Sequence, residues 1–270
     1  MRAGDSGQSA PHAAPVMGHD RATLLTTLFL LVIAGAAWAY VLLMPMTADD
    51  MAGMGMAMSP TVADGAAYVG VWAVMMAAMM LPSALPMIRL YAGTLRTITS
   101  SSGKVVRIAS FTFVYLAIWV VTGVPIYLAS VGLSAIDARA LAYGVAGVLV
   151  IAGAFQLSPL KQVCLKQCRS PLGFLLGHWR EGWRGGLVMG ATHALYCLGC
   201  CWALMIVLVV AGAMGLIWVL LIAAVVAAEK LLPRGEWIAQ TTGIALVLLG
   251  MAVAMRPALA EALRAGAHSM

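Results

Sequence analysis

Seven stretches of this chain, at about 23–44, 65–88, 109–132, 140–158, 187–212, 215–232 and 237–256, run for close to 20 residues with almost no charge. A helix of roughly 20 apolar residues matches the hydrocarbon thickness of a bilayer. In lipid the backbone must satisfy its own hydrogen bonds, so an isolated apolar run of this length can only be a helix. The expected fold class is therefore all-α, a polytopic transmembrane helix bundle of about seven spans. Composition agrees: 63% of the 270 residues are hydrophobic and 10% are charged, against roughly 25% charged in a soluble domain. The net charge of +6 resides in the loops. No Lys/Arg-rich face or nucleic-acid motif accompanies it, which excludes nucleic acid and makes the lipid bilayer the first partner.

Loop charge sets the expected orientation. With the N-terminus inside, 13 of the 16 Lys and Arg residues fall inside, and only Arg139, Arg256 and Arg264 fall outside. That is a strong positive-inside pattern, giving N-in and C-out. The expected organisation is a disordered tail over 1–22, a transmembrane helical domain over 23–256 and a short external tail over 257–270. Within the domain lie an external Met-rich loop at 44–60 and a cytoplasmic interfacial segment at 160–186. That segment is too polar to span, and Trp179 and Trp183, flanked by Arg180 and Arg184, suit an interfacial helix. A cleaved signal peptide ending at Ala37–Ala39 is the competing reading of the first span. Asp5 and Asp20 before it and the apolar run continuing to Leu43 count against that.

Within this apolar chain the soft metal ligands are grouped. All five cysteines, Cys164, Cys168, Cys197, Cys200 and Cys201, fall within 38 residues, in "KQVCLKQC" and "CLGCC". Any one of them reads equally well as a small buried hydrophobe, but the set, at helical chelate spacing, points to a metal. In the fifth span Met189, His193, Cys197, Cys201 and Met205 recur every four residues. Each step rises about 6 Å and turns about 40°, so adjacent rungs can share an ion while distant ones cannot. One helix then offers successive two-ligand sites, with Cys200 adding density at Cys197. A structural zinc site instead wants a closed tetrahedron. His193 alone could equally bond a backbone carbonyl. Cys164 and Cys168 are expected to meet the His193 and Cys197 end and complete a site at the cytoplasmic face.

Methionine extends the pattern outward. The loop "MPMTADDMAGMGMAMSP" holds Met44, Met46, Met51, Met54, Met56 and Met58, and the second span pairs Met75 with Met79 and Met76 with Met80. Thioethers are soft, neutral ligands suited to Cu(I) and poor for hard cations. The competing reading is that Met fills packing gaps. Pro82 and Pro86 break the backbone ladder just beyond these pairs. Glu229 and Lys230 near the inner end of the sixth span read as a snorkelling helix end, with Glu229 also placed to counter a metal site. Gln156 is expected to hydrogen-bond a neighbouring helix.

The stretches "MMAAMMLPSALPMI", "FQLSPLKQVCLKQCRSP", "YCLGCCWALM" and "EKLLP" resemble the bacterial family of predicted metal-binding integral membrane proteins, a domain of unknown function. The resemblance covers about residues 65–235. It implies a helical protein of the bacterial inner (cell) membrane with metal ligands at Cys164, Cys168, Cys197, Cys200 and Cys201. The Met-rich loop and His193 lie outside the matched motifs.

The expected function is binding and transfer of a soft metal, Cu(I) first, with mercury or zinc as alternatives. The ion is imported or delivered for cuproenzyme assembly. The expected partners are the metal ion and a metallochaperone or a cuproenzyme. No hydrolase triad, phosphate loop or haem motif appears, so a non-enzyme is expected. Two other classes compete. One is a membrane thiol–disulfide oxidoreductase using the C-x-x-C of Cys197 and Cys200; the other is a structural subunit with packed cysteines.

Overall fold

The computed structural model describes residues 21–43, 61–95, 100–133, 137–210 and 216–265. The expected N-terminal tail and Met-rich loop, with all six of its methionines, lie outside the described residues. Ten α-helices and no strand occur among those described: α1 (Arg21–Leu43), α2 (Val62–Thr94), α3 (Ser101–Leu133), α4 (Ala138–Leu157), α5 (Pro159–Arg169), α6 (Pro171–His178), α7 (Gly182–Val210), α8 (Leu216–Leu231), α9 (Gly235–Met255) and α10 (Ala258–Ala265). Six of them, α1, α2, α3, α4, α7 and α9, are long and apolar enough to cross a membrane. The expected span at 215–232 is represented by α8, with 16 described residues, which is not among the six. The outer surface is apolar: Leu25, Phe29 and Val32 of α1 and Phe113, Val121 and Leu128 of α3 are each more than 60% exposed. Contiguous apolar surface of this kind has the character of a lipid-facing bundle.

Small residues let the long helices approach closely, as in membrane bundles generally. A Cβ on Gly186 would come within 2.7 Å of the Arg107 carbonyl, and one on Gly190 within 2.9 Å of Phe111 Cα. These two glycines, one turn apart, seat α7 against α3. Gly153 of α4 and Gly243 of α9 do the same for that pair, with a Gly153 Cβ 2.6 Å from the Gly243 carbonyl. Trp72, fully buried, ties α2 to α3 by donating from Nε1 to the Trp119 carbonyl (3.0 Å) and to Thr122 Oγ1 (3.2 Å).

Two expectations about the connecting segments change. Residues 160–186 form two short helices folded onto the bundle. Ser158 caps α5 by accepting from the Lys161 N–H at 3.2 Å, and Pro159 follows at the first helical position. Phe174 and Leu175 of α6 are buried, while Leu172 and Leu176 are exposed. Trp179 and Trp183 do not share a helix, because the chain leaves α6 at Trp179 and turns through Gly182, at φ +76°, into α7. Trp179 instead meets Tyr91 edge-on, ring centroids 6.0 Å apart. The expected external tail contains α10, whose Ala260 is buried and whose Leu259 and Leu263 pack on the core.

α2 runs unbroken through Pro82 and Pro86. Just before Pro82, the Met80 carbonyl accepts from Ser83 Oγ (2.9 Å) and from Tyr115 OH on α3 (3.4 Å). Polar side chains from within and beside the helix thus serve this turn, as proline-containing membrane helices require.

Candidate metal centre

Five elements converge around the middle of α7. α2 supplies Met80 and Ser83, α3 supplies Tyr115, α5 supplies Cys164 and Cys168, and α8 supplies Lys230. α7 contributes the ladder expected from its four-residue period. Met189, His193, Cys197, Cys201 and Met205 are all 2% exposed or less, as is Cys200. The five cysteines are free thiols.

Four of the five sulfurs cluster, with those of Cys168 and Cys201 gathered around Cys197 and Cys200. Cys168 Sγ lies 3.8 Å from Cys200 Sγ, which lies 3.4 Å from Cys201 Sγ. Two sulfurs bound to one ion at about 2.3 Å each are at most about 4.6 Å apart, so either pair can share an ion. Among the described residues no three His, Cys, Asp or Glu side chains already converge to hold a metal.

Cys164 and Cys168 do meet α7, Cys168 at both Cys197 and Cys200. Cys168 reaches Cys200, while Cys164 Sγ lies against Gly199, where any Cβ would come within 2.8 Å of it. Glycine at 199 is therefore what lets the Cys164 thiol approach α7. Partial burial pushes that thiol's pKa up, so it enters as a thiol and must release its proton to ligate.

Cys197 interacts with the thiols of Cys168, Cys200 and Cys201 and has polar company as well. Its Sγ lies 3.1 Å from Tyr115 OH and 3.0 Å from Lys230 Nζ. Lys230 also reaches Ser83 Oγ at 3.3 Å and Met80 Sδ at 4.0 Å. Lys230 does not snorkel: it is 7% exposed and points into the thiol cluster. Its sequence neighbour Glu229 faces the other way. Glu229 Oε2 accepts from Lys161 Nζ at 2.7 Å and Oε1 accepts from Gln156 Nε2 at 3.0 Å, while Lys161 also donates to Gln156 Oε1. Gln156 does bond a neighbouring helix, as expected, and Glu229 braces α4, α5 and α8 rather than countering the cysteines.

His193 stands one turn from Cys197 in an aromatic box. It stacks on Tyr115 (5.6 Å between centroids), with Phe174 at 5.3 Å and Phe111 at 5.9 Å. Its Nδ1 is buried and has no hydrogen-bond partner in the structure. No carbonyl occupies that nitrogen, which leaves it free to ligate. Met189 is engaged, since its Sδ accepts the Arg180 N–H at 3.4 Å.

All four methionines singled out in α2, Met75, Met76, Met79 and Met80, are buried to 4% or less. Only Met80 is recorded against a polar group of the cluster. Tyr115, Ser83 and the inward turn of Lys230 could not be read from the chain alone. An aromatic, a small hydroxyl and a helix-end lysine are ordinary in such helices. Only their meeting across α2, α3 and α8 marks them.

Residues 69–253 match the family described as PpoB2, copper chaperone. The chain belongs to that family, which agrees with the metal-binding resemblance of its motifs and brings copper to the front. No curated protein and no solved structure matches it.

Proposed function

We propose that this protein binds Cu(I) within a bacterial inner membrane and passes it inward, for import or for loading a cuproenzyme under assembly. The observation that carries this is the group of buried soft donors, Met80 and Cys197, both at Lys230, with Cys200, Cys201 and Cys168. Thioethers and thiolates are the donor set that favours Cu(I). Membership of a copper chaperone family supports the same metal.

In this reading the chain is oriented N-in and C-out with α8 counted as a seventh crossing, so that most loop Lys and Arg lie inside. The Met-rich loop at 44–60 captures the ion outside. The weak, neutral thioethers of Met75, Met76, Met79 and Met80 release it inward, and the thiols hold it more tightly. A cysteine-labelling experiment on Ser59→Cys and Ser102→Cys tests the orientation. Labelling of residue 102 but not 59 from outside overturns it.

A thiol–disulfide oxidoreductase needs a thiol that a partner's disulfide can reach. Cys197, Cys200 and Cys201 are sealed in the bundle, and Cys200 Sγ turns to the Cys197 carbonyl at 3.2 Å. A subunit with merely packed cysteines has no use for a cation directed into them, since buried charge in a membrane is costly. The deciding experiment is the metal content of the purified protein. Wild type is expected to hold Cu(I), with Cys164→Ser and Cys197→Ser depleted. Stoichiometric Zn(II) with no uptake of Cu(I) overturns the reading.

A further inference from the structure

Among the described residues, Lys230 is the one cation that reaches the thiol cluster, and no carboxylate pairs with it. Lys230 Nζ is surrounded by Cys197 Sγ from α7, Ser83 Oγ and Met80 Sδ from α2. Tyr115 of α3 joins the same group through Cys197. The adjacent carboxylate, Glu229, is already engaged by Lys161 at 2.7 Å. A lysine at a helix end in a membrane ordinarily carries its ammonium out to water. This one is held inward at 3.0 Å from a candidate ligand. An ion bound to Cys197 Sγ at about 2.3 Å would therefore lie within about 5 Å of the ammonium.

Resting on the Cu(I) reading above, we infer that Lys230 is a specificity-determining residue, whose ammonium selects a monovalent soft cation over a divalent one. Ligand softness does not make that choice, because cysteine thiolates serve zinc as well as Cu(I). Charge does. Whatever number of thiolates bind the ion, a fixed ammonium repels a divalent ion twice as strongly as a monovalent one. It also offsets the excess negative charge that thiolates leave around a monovalent ion. Water does not screen this interaction inside the bundle as it would at a surface. One additional unit charge at about 5 Å, at an effective dielectric of about 20, is worth on the order of 100-fold in affinity. Retreat of the flexible stem reduces that, and a shift of at least about tenfold is expected.

The test is competitive titration of the full-length protein in detergent with Cu(I) and Zn(II), two d10 ions differing in charge. The wild type and Lys230→Met, Lys230→Gln and Lys230→Arg are compared through the ratio of the two affinities. The two neutral variants are expected to move the ratio at least about tenfold toward Zn(II), whereas Lys230→Arg keeps it within a few-fold of wild type. If all three variants move it alike, the effect is one of shape, and the inference is overturned. If neither neutral variant moves it while wild type binds Cu(I), the inference fails and the copper reading stands. If wild type itself ignores Cu(I), both fall. A neutral variant that does not fold is replaced by the other, since Met preserves the apolar stem and Gln a polar tip.

Discussion

Glu229 and Lys230 are neighbours in sequence, yet they enter two buried polar regions of opposite kind. On the Glu229 side, one carboxylate, one ammonium and one amide form a closed set, each charge matched, with Lys161 and Glu229 exposed by 0% and 1%. On the Lys230 side the set is open. One ammonium faces a thiol, a hydroxyl and a thioether, and His193 nearby keeps an unpartnered Nδ1. A closed buried network is a strut, because every group in it is already satisfied. An open one is incomplete without a ligand. Both are buried, and the difference between them marks the open side as the candidate metal centre.

Breaking the closed side should give the largest effect. Lys161→Met leaves Glu229 as an unpaired buried charge and should cost about 3–5 kcal/mol of stability, whereas adding Glu229→Leu should recover most of it. Unfolding of the three proteins in detergent measures this. Equal destabilisation by the single and the double change would show that charge pairing is not what the trio provides.

Disturbing the open side should affect ligand affinity far more than folding. Cys197→Ser is expected to lower Cu(I) affinity by at least about 10–100-fold, and His193→Ala by less than about tenfold. A chromophoric Cu(I) chelator in competition reads both. A larger loss for His193→Ala would make the imidazole the principal ligand.

The last change involves no charge. Replacing Met75, Met76, Met79 and Met80 together by Leu conserves volume and apolarity, each swap costing less than about 1.5 kcal/mol. The bundle should survive with copper delivery lost. Normal cellular copper content in that variant would reduce these methionines to packing.

What was legible in the chain was what depends on local pattern. Uninterrupted apolar length announces a membrane helix, and a four-residue period places Met189, His193, Cys197, Cys201 and Met205 along one slowly turning stripe. Ser158-Pro159 announces a helix start, and it is where α5 begins. The burial of Phe174 and Leu175 in α6 and the packing of α10 were not legible. They depend on neighbours rather than on composition, and α6 carries only eight residues of signal.

The amino-acid sequence by itself determined that this is a helical bundle with its soft donors clustered, because lipid leaves an apolar chain no other backbone solution and the cysteines are close along one stretch. Only the tertiary structure decided which donors lie together and which charge joins them. A lysine and a glutamate side by side on α8 differ by about 100° around the helix. The sequence cannot say that one of those directions ends on Lys161 and the other on Cys197, because that depends on where α5, α2 and α7 pass, and glycine-scale contacts between distant segments set those positions.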